Sequence, residues 1–213
     1  MVTKALVLAA GRGTRMNSGV PKMLQPLGGW PLIRWSVEAC RLAVGEAPYV
    51  VIPSEAEQLR KAAGGEAVFI VQAEPLGTGD AVSQAAKALN GNSELLIVTN
   101  ADMPLLTAAS LKALVRAQQA NSGPLTLLIA ESEQPRGFGR IARDASGRIL
   151  GIVEEAEASP EQLSLTELNL GAFCFRAEWL WQQLPRIAKS PKGEYYLTDL
   201  VGLANAGGTP SGG

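Results

Sequence analysis

The sequence contains no histidine. That absence excludes a histidine general base, a Ser-His-Asp triad and most zinc sites. Any chemistry therefore runs on carboxylates, cations, backbone dipoles and a hard metal ion. Cysteine is almost as scarce. Cys40 and Cys174 lie far apart, each inside an apolar pattern, and read as small core residues rather than as a disulfide. Charge of one sign is also lacking. The formal net charge is −1, which gives no general attraction for nucleic acid or an anionic membrane, so any anion binding must be local. No apolar run approaches the roughly 18 residues that a membrane span needs. Met1-Val2-Thr3-Lys4 leads directly into a strand-like run, without a signal-peptide pattern. A cytoplasmic protein with neither a nucleic-acid nor a membrane partner is expected. Hydrophobic residues at 46% against charged residues at 18% place the chain among globular rather than disordered sequences. Its 213 residues suffice for one sizeable domain or at most two small ones.

What is present alternates between strand and helix signals. Residues 6–8 form a first apolar strand, followed by Ala9-Ala10-Gly11-Arg12-Gly13-Thr14-Arg15-Met16 and then Pro21-Lys22. Glycines without Cβ let backbone N–H groups surround an anion, and Arg12, Arg15 and Lys22 bring positive charge to the same place. The alternative is an ordinary strand-to-loop turn. Residues 32–43 carry apolar positions at helical spacing. Residues 49–52 read as a strand, and Ser54 as the N-cap of a helix running to Ala63. Residues 68–71 form a third strand, 79–89 a helix, 95–98 a fourth strand, 111–119 a helix and 125–129 a fifth strand. Continuous apolar strands separated by helices predict an α/β fold, Rossmann-like and doubly wound, with a mostly parallel sheet covered on both faces. Ligands then collect beyond the carboxyl ends of the strands.

The rhythm changes after Ala130. Residues 139–143 and 149–154 flank Asp144-Ala145-Ser146-Gly147, which predicts a hairpin, and 168–175 form another strand. These add antiparallel strands, with closing helices at 177–184 and 196–205. A single domain over residues 1–208 is expected, with 209–213 a frayed tail.

Several polar residues stand where chemistry could occur. Asp102 follows a buried strand, where a carboxylate suits Mg²⁺, although a turn cap before Pro104 would also account for it. Gln72 and Gly77-Thr78 offer an amide and close backbone approach to a nucleobase edge, or in Thr78's case an N-cap. Glu154 and Asn169 suit sugar hydroxyls or neighbouring backbone. Gly193-Glu194-Tyr195-Tyr196-Leu197-Thr198-Asp199 approaches a helix with aromatics and hydroxyls. The four tryptophans read as packing residues, and Glu131, Glu133, Glu155 and Glu157 as solvated surface.

The opening motif from Leu8 to Met16 with Pro21-Lys22 resembles the signature of the sugar-nucleotide pyrophosphorylases, a nucleotidyltransferase family. Gln72-Ala73-Glu74-Pro75-Leu76-Gly77-Thr78-Gly79, Gly137-Phe138-Gly139-Arg140-Ile141, Ile152-Val153-Glu154-Glu155, Glu167-Leu168-Asn169-Leu170-Gly171 and the 193–199 segment narrow the resemblance to the N-terminal uridyltransferase domain of the GlmU type. The similarity runs in order over nearly the whole chain. It implies transfer of uridylyl from UTP to N-acetylglucosamine 1-phosphate, giving pyrophosphate and UDP-N-acetylglucosamine, a cell-wall precursor. By position, the backbone of Leu8, Ala9, Ala10, Gly11 and Gly13, with Gln72, Gly77 and Thr78, would hold the nucleotide. Arg15 and Lys22 would act on the phosphates, and Asn100 and Asp102 would line the site, with Asp102 binding Mg²⁺. Gly139, Glu154 and Asn169 would hold the sugar. A pyrophosphorylase for another sugar 1-phosphate or nucleotide, and a nucleotide-sugar binding domain with little turnover, remain the alternatives.

Two departures accompany the resemblance. Ala101 stands where the family usually has glycine before the metal-binding aspartate. The second Mg²⁺ ligand, an asparagine, belongs to a segment after Gly208 that is not expected within these residues. The hexapeptide repeats of an acetyltransferase left-handed β-helix are not expected there either.

Overall fold

A computed structural model describes residues 1–11, 13, 19–135 and 137–206. Arg12, Arg15 and the expected tail at 209–213 lie outside the described residues. The first half contains β1 (Thr3–Leu8), a 3-10 turn at Lys22–Leu24, the short pair β2 (Pro26–Leu27) and β3 (Trp30–Pro31), α1 (Leu32–Val44), β4 (Tyr49–Pro53), α2 (Glu57–Ala63), β5 (Val68–Gln72), α3 (Thr78–Ser83), α4 (Ala86–Leu89) and β6 (Leu95–Asn100). The second half contains α5 (Ala108–Ala120), β7 (Leu125–Glu131), β8 (Arg140–Arg143), β9 (Ile149–Val153), α6 (Pro160–Leu163), β10 (Glu167–Arg176), α7 (Ala177–Gln183) and α8 (Asp199–Ala206).

The main sheet has the order β5-β4-β1-β6-β10-β8-β9, with β7 paired to β10. The first three pairings are parallel and the remainder antiparallel. Side chains alternate across the sheet, so each strand feeds two cores. Leu6, Leu8, Leu96, Val98, Phe173 and Phe175 pack with α3, α4, α7 and α8. Ala5, Val7, Leu95, Ile97 and Cys174 pack with α1, α2 and α5 on the other face. Each large side chain buried in this way contributes about 1.5–3 kcal/mol, which explains why the central strands are apolar throughout rather than alternating. Both cysteines are buried and unpaired, as expected for core residues, and burial pushes each thiol up to about 12. Among the described residues no helix is long and apolar enough to cross a membrane.

The doubly wound α/β architecture is present, with four differences from the expected elements. The fifth strand, β7, points the same way as β6 but does not pair with it, because β10 is inserted antiparallel between them. Ser54 caps nothing: α2 starts at Glu57 after Ala56, which sinks into the core. The expected helix 79–89 is two short helices, and Ser83 donates to the Asp80 carbonyl at 2.7 Å, a bond that bends a helix locally. The last helix begins at Asp199 rather than at Tyr196, because Tyr195 and Leu197 are bonded to the loop before α3 and residues 197–198 form a turn leading into the helix. The 144–147 turn is as expected: Asp144 accepts from the Ser146 and Arg148 backbone N–H groups, and Gly147 adopts φ +83°.

Candidate active site

The chain winds from β1 outward through β4 to β5, then returns to place β6 on the other side of β1. The loops after β1 and β6 therefore diverge at a topological switch point, where doubly wound sheets open a crevice. Register places Leu8 opposite both Val51 and Asn100, so β1 and β6 end level while β4 continues to Pro53. Ala9 N–H donates to the Val51 carbonyl and Ala101 N–H to that of Leu8, which extends the ladder one step into the loops. Beyond this edge lies a cavity of about 760 Å³, lined by Ala9, Ala10, Gly11, Lys22 and Gln72 and walled by the segment from Pro53 to Arg60.

Lys22 reaches the cavity from the 3-10 turn. Its neighbour Met23 is buried in the α1-side core and anchors that turn. Gly13 folds over it at φ +59°, and a Cβ there would meet Lys22 Cβ at 2.7 Å, so only glycine suits the position. At Gly11 a Cβ would meet no atom of a described residue within 4 Å. Lys22 Nζ lies 2.5 Å from Asp102 Oδ2, joining the loops that follow β1 and β6. Both side chains are partly exposed, so the pair is a hydrated contact that incoming charged groups can exchange.

Among the described residues no group of three or more potential ligand side chains could enclose a metal. Mg²⁺, however, needs only one or two protein carboxylates when phosphates and water complete its shell. Asp102 Oδ1 accepts no bond from a described residue, so the donor set fits that mode and no fuller cage. Ala101 does not crowd this site. It is fully buried in the core beneath α1, and Ser36 Oγ donates to its carbonyl.

On the base side, Gln72 ends β5 and is buried. Its Nε2 donates to Asp80 Oδ2 at 2.6 Å and to the Gly77 carbonyl at 3.2 Å. Gly77 has φ +102°, and a Cβ there would meet Tyr195 O at 2.5 Å and Tyr195 N at 2.8 Å. The approach is close because residues 195–197 strap this loop. Tyr195 N–H donates to the Leu76 carbonyl, Gly79 N–H donates to the Tyr195 carbonyl, and Leu197 N–H donates to Thr78 Oγ1 at 2.9 Å. Thr78 thus receives the strap and does not cap the helix, whose N-cap is Gly77.

The same strap reaches the antiparallel half. Thr198 Oγ1 donates to Glu154 Oε1 at 3.1 Å, just past the end of β9. Asn169 N–H donates to the Gly139 carbonyl, and Asn169 Oδ1 accepts from Gly171 N–H. Gly171 bulges β10 at φ +64°, and a Cβ there would lie 2.5 Å from Asn100 Nδ2, so the bulge brings Asn100 alongside Asn169. At Gly139 a Cβ would strike Ile152 Cγ2 at 2.9 Å. Gly139, Glu154 and Asn169, expected together, are therefore one cluster, with Asn100 at its edge. Gly77, Thr78, Asn100, Asp102 and this cluster do not line the 760 Å³ cavity. Leu8 lies beneath it, in the core.

Three participants were not legible as such. Glu155, read as solvated surface, accepts from Gly137 N–H at 2.8 Å and from Arg140 Nη2 at 3.5 Å. Arg140 is only 3% exposed and also donates to the Phe138 carbonyl, so together they hold the loop before β8. Glu157, also read as surface, is exposed but accepts from the Tyr196 hydroxyl at 3.4 Å. Burial, with the Glu157 charge in addition, raises the Asp199 carboxyl above its usual range, and burial likewise raises the Tyr196 phenol. Asp80 is the third, discussed below. The repeated occurrence of Glu after β9 was the only sequence signal for the first of these.

Comparison with known proteins bears on the same residues. The sequence profile of the MobA-like NTP transferase domain matches residues 5–190. The chain is 42% identical over 204 residues to the bifunctional protein GlmU of Geobacter sulfurreducens, covering 94% of this chain and 43% of that protein. It is 42% identical over 205 residues to the bifunctional protein GlmU of Cellvibrio japonicus, covering 95% and 45% respectively. The chain thus spans less than half the length of these relatives. A UDP-glucose pyrophosphorylase solved with UDP-glucose superposes with a TM-score of 0.75 at 20% identity, covering 99% of this chain and 89% of that one, which shows a shared fold. The matched span contains the loop after β1, Lys22, Gln72, Asp102 and the Gly139–Asn169 cluster, and by that match the chain belongs to the MobA-like NTP transferase domain family.

Proposed function

We propose that residues 1–208 form a single nucleotidyltransferase domain that makes UDP-N-acetylglucosamine and pyrophosphate from UTP and N-acetylglucosamine 1-phosphate. The observation that carries this reading is the meeting of Lys22 and Asp102 across the switch point, beside an open glycine-lined cavity. A cation and a carboxylate from two diverging loops are what a polyphosphate and its divalent cation would engage. The similarity to the GlmU proteins named above supports a nucleotidyltransferase of that type.

In this reading the backbone of Leu8, Ala9, Ala10, Gly11 and Gly13 admits the nucleotide, with Gln72, Gly77 and Thr78 at the base. Arg15 and Lys22 neutralise phosphate charge around the attacked phosphorus. Gly139, Glu154 and Asn169, with Asn100, orient the sugar. Asp102 holds Mg²⁺, which when bound draws charge from the phosphate oxygens. The nucleophile is a sugar phosphate whose second pKa is about 6, already ionised at neutral pH. No general base is required, consistent with a chain that has no histidine. The work of the protein is to align a phosphate oxygen with the α-phosphorus and to spread the developing charge. The α-phosphorus bond to the bridging oxygen breaks as the new one forms, pyrophosphate leaves, and no covalent enzyme intermediate arises.

The test is pyrophosphate release with Mg²⁺ across a panel of nucleoside triphosphates and sugar 1-phosphates. UTP with N-acetylglucosamine 1-phosphate should be the fastest pair. Faster release with glucose 1-phosphate or another nucleotide would replace the substrate assignment. Binding of UDP-N-acetylglucosamine without release from any pair would replace the enzyme reading with a binding domain.

A further inference from the structure

The base side of the cleft contains a carboxylate that the mechanism above leaves without a task. We infer that Asp80 is a positioning residue that locks the Gln72 amide with its oxygen turned to the nucleobase, so that the site selects a base presenting an N–H at that edge, such as uracil, over one presenting a lone pair, such as cytosine. This rests on the uridine reading and extends it to a residue outside the substrate-contacting set.

The orientation of a glutamine amide is decided by its partners. Gln72 Nε2 stands 2.6 Å from Asp80 Oδ2 and 3.2 Å from the Gly77 carbonyl oxygen. Both partners are acceptors only, so the nitrogen must occupy that end of the amide. Turning the amide over would gather three oxygens with no proton among them. Of the two bonds, the one to the carboxylate is shorter and charge-assisted, so it dominates the preference. The Gly77 carbonyl also accepts from Ala81 N–H and is already served.

Asp80 is itself fixed. Its Oδ1 accepts from Gln84 Nε2 at 3.1 Å, and it lies in the first turn of α3, where the preceding Gly79 is tied to the Tyr195 carbonyl. Gln72 is only 4% exposed, and its residue is paired in register with Pro53, so the side chain cannot swing away without disturbing the end of β5. At the other end of the amide, Oε1 accepts from no described residue and is not among the unpartnered side-chain atoms sealed from solvent. Gln72 lines the cavity, so this oxygen is an oriented acceptor at the cavity wall. Uracil N3–H can donate to it. Cytosine N3 brings a lone pair to the same position and can be accommodated only if the amide turns, which Asp80 opposes.

Isothermal titration of the full chain with UTP and with CTP, in Mg²⁺ buffer without sugar phosphate, tests this independently of turnover. The wild type should prefer UTP by about 100-fold. Asp80→Ala should reduce that ratio about tenfold, since the charged bond that fixes the amide is gone. Asp80→Glu, which keeps an acceptor-only carboxylate, should retain most of the ratio. Should Asp80→Ala fail to fold, Asp80→Ser, which can donate as well as accept, carries the same expectation. An unchanged ratio in Asp80→Ala, or an equal loss in Asp80→Glu, would overturn the assignment of Asp80 while leaving the uridine reading intact. A wild type without UTP preference would overturn both, with the fault in the uridine reading itself.

Discussion

Gly11 and Gly77 both stand in loops that follow strands, yet they are glycines for different reasons. At Gly77 the protein demands it: φ is +102° and a Cβ would collide with Tyr195 backbone at 2.5 Å. At Gly11 the described residues make no such demand, since a Cβ would meet none of their atoms within 4 Å. Gly77→Ala should therefore cost about 2 kcal/mol or more and lower the melting temperature by several degrees. Gly11→Ala should leave melting unchanged and weaken UTP binding by tenfold or more, because in the proposed reading the nucleotide passes beside this backbone. Calorimetric melting and UTP titration on both variants check the contrast. Unchanged UTP affinity in Gly11→Ala would mean that the nucleotide does not pass there. At this scale the places of Gly11, Lys22 and Asp102 were legible in the sequence, because each follows an apolar run that reads as a buried strand. Ala101 was not, because whether a methyl points to a ligand or to a core depends on the helix packed behind it. Here that helix is α1, with Ser36 bonded to the Ala101 carbonyl.

Elements legible from local pattern were the ones buried on both faces, such as β1 and β6, and those with clear stop signals, such as α1, which ends at Gly45 with φ +80°. What local pattern could not supply was pairing between distant segments. Thr78 and Leu197 are 119 residues apart, and Thr198 and Glu154 are 44 apart, yet these two bonds tie the base loop to the sugar-side cluster. The insertion of β10 between β6 and β7 is of the same kind, since nothing in an apolar strand names its neighbour. The strap makes a specific expectation possible. Thr198→Val removes one hydrogen bond worth about 1 kcal/mol from the Glu154 carboxylate, which the proposed reading places at the sugar. KM for N-acetylglucosamine 1-phosphate should rise several-fold while KM for UTP stays within twofold. Equal rises in both would mean that the strap supports the cleft as a whole and does not orient Glu154.

At the scale of the molecule, two cores grip one sheet, and the groups with chemistry stand along the edge that neither core covers. The parallel half presents the cavity, Gln72 and Lys22, while the antiparallel half presents Glu154 and Asn169. Asp102, after the last parallel strand, stands at the boundary and is paired with Lys22. This division suits the proposed transfer between two substrates, in which one half would take the nucleotide and the other the sugar, with the phosphates across the boundary. The most direct measurement runs that transfer backward. The chain is incubated with Mg²⁺, UDP-N-acetylglucosamine and labelled pyrophosphate, and label is followed into UTP. The expected result is labelled UTP and free N-acetylglucosamine 1-phosphate in equal amounts. Failure of label to enter UTP, with the protein folded and UDP-N-acetylglucosamine bound, would contradict nucleotidyl transfer in this cleft.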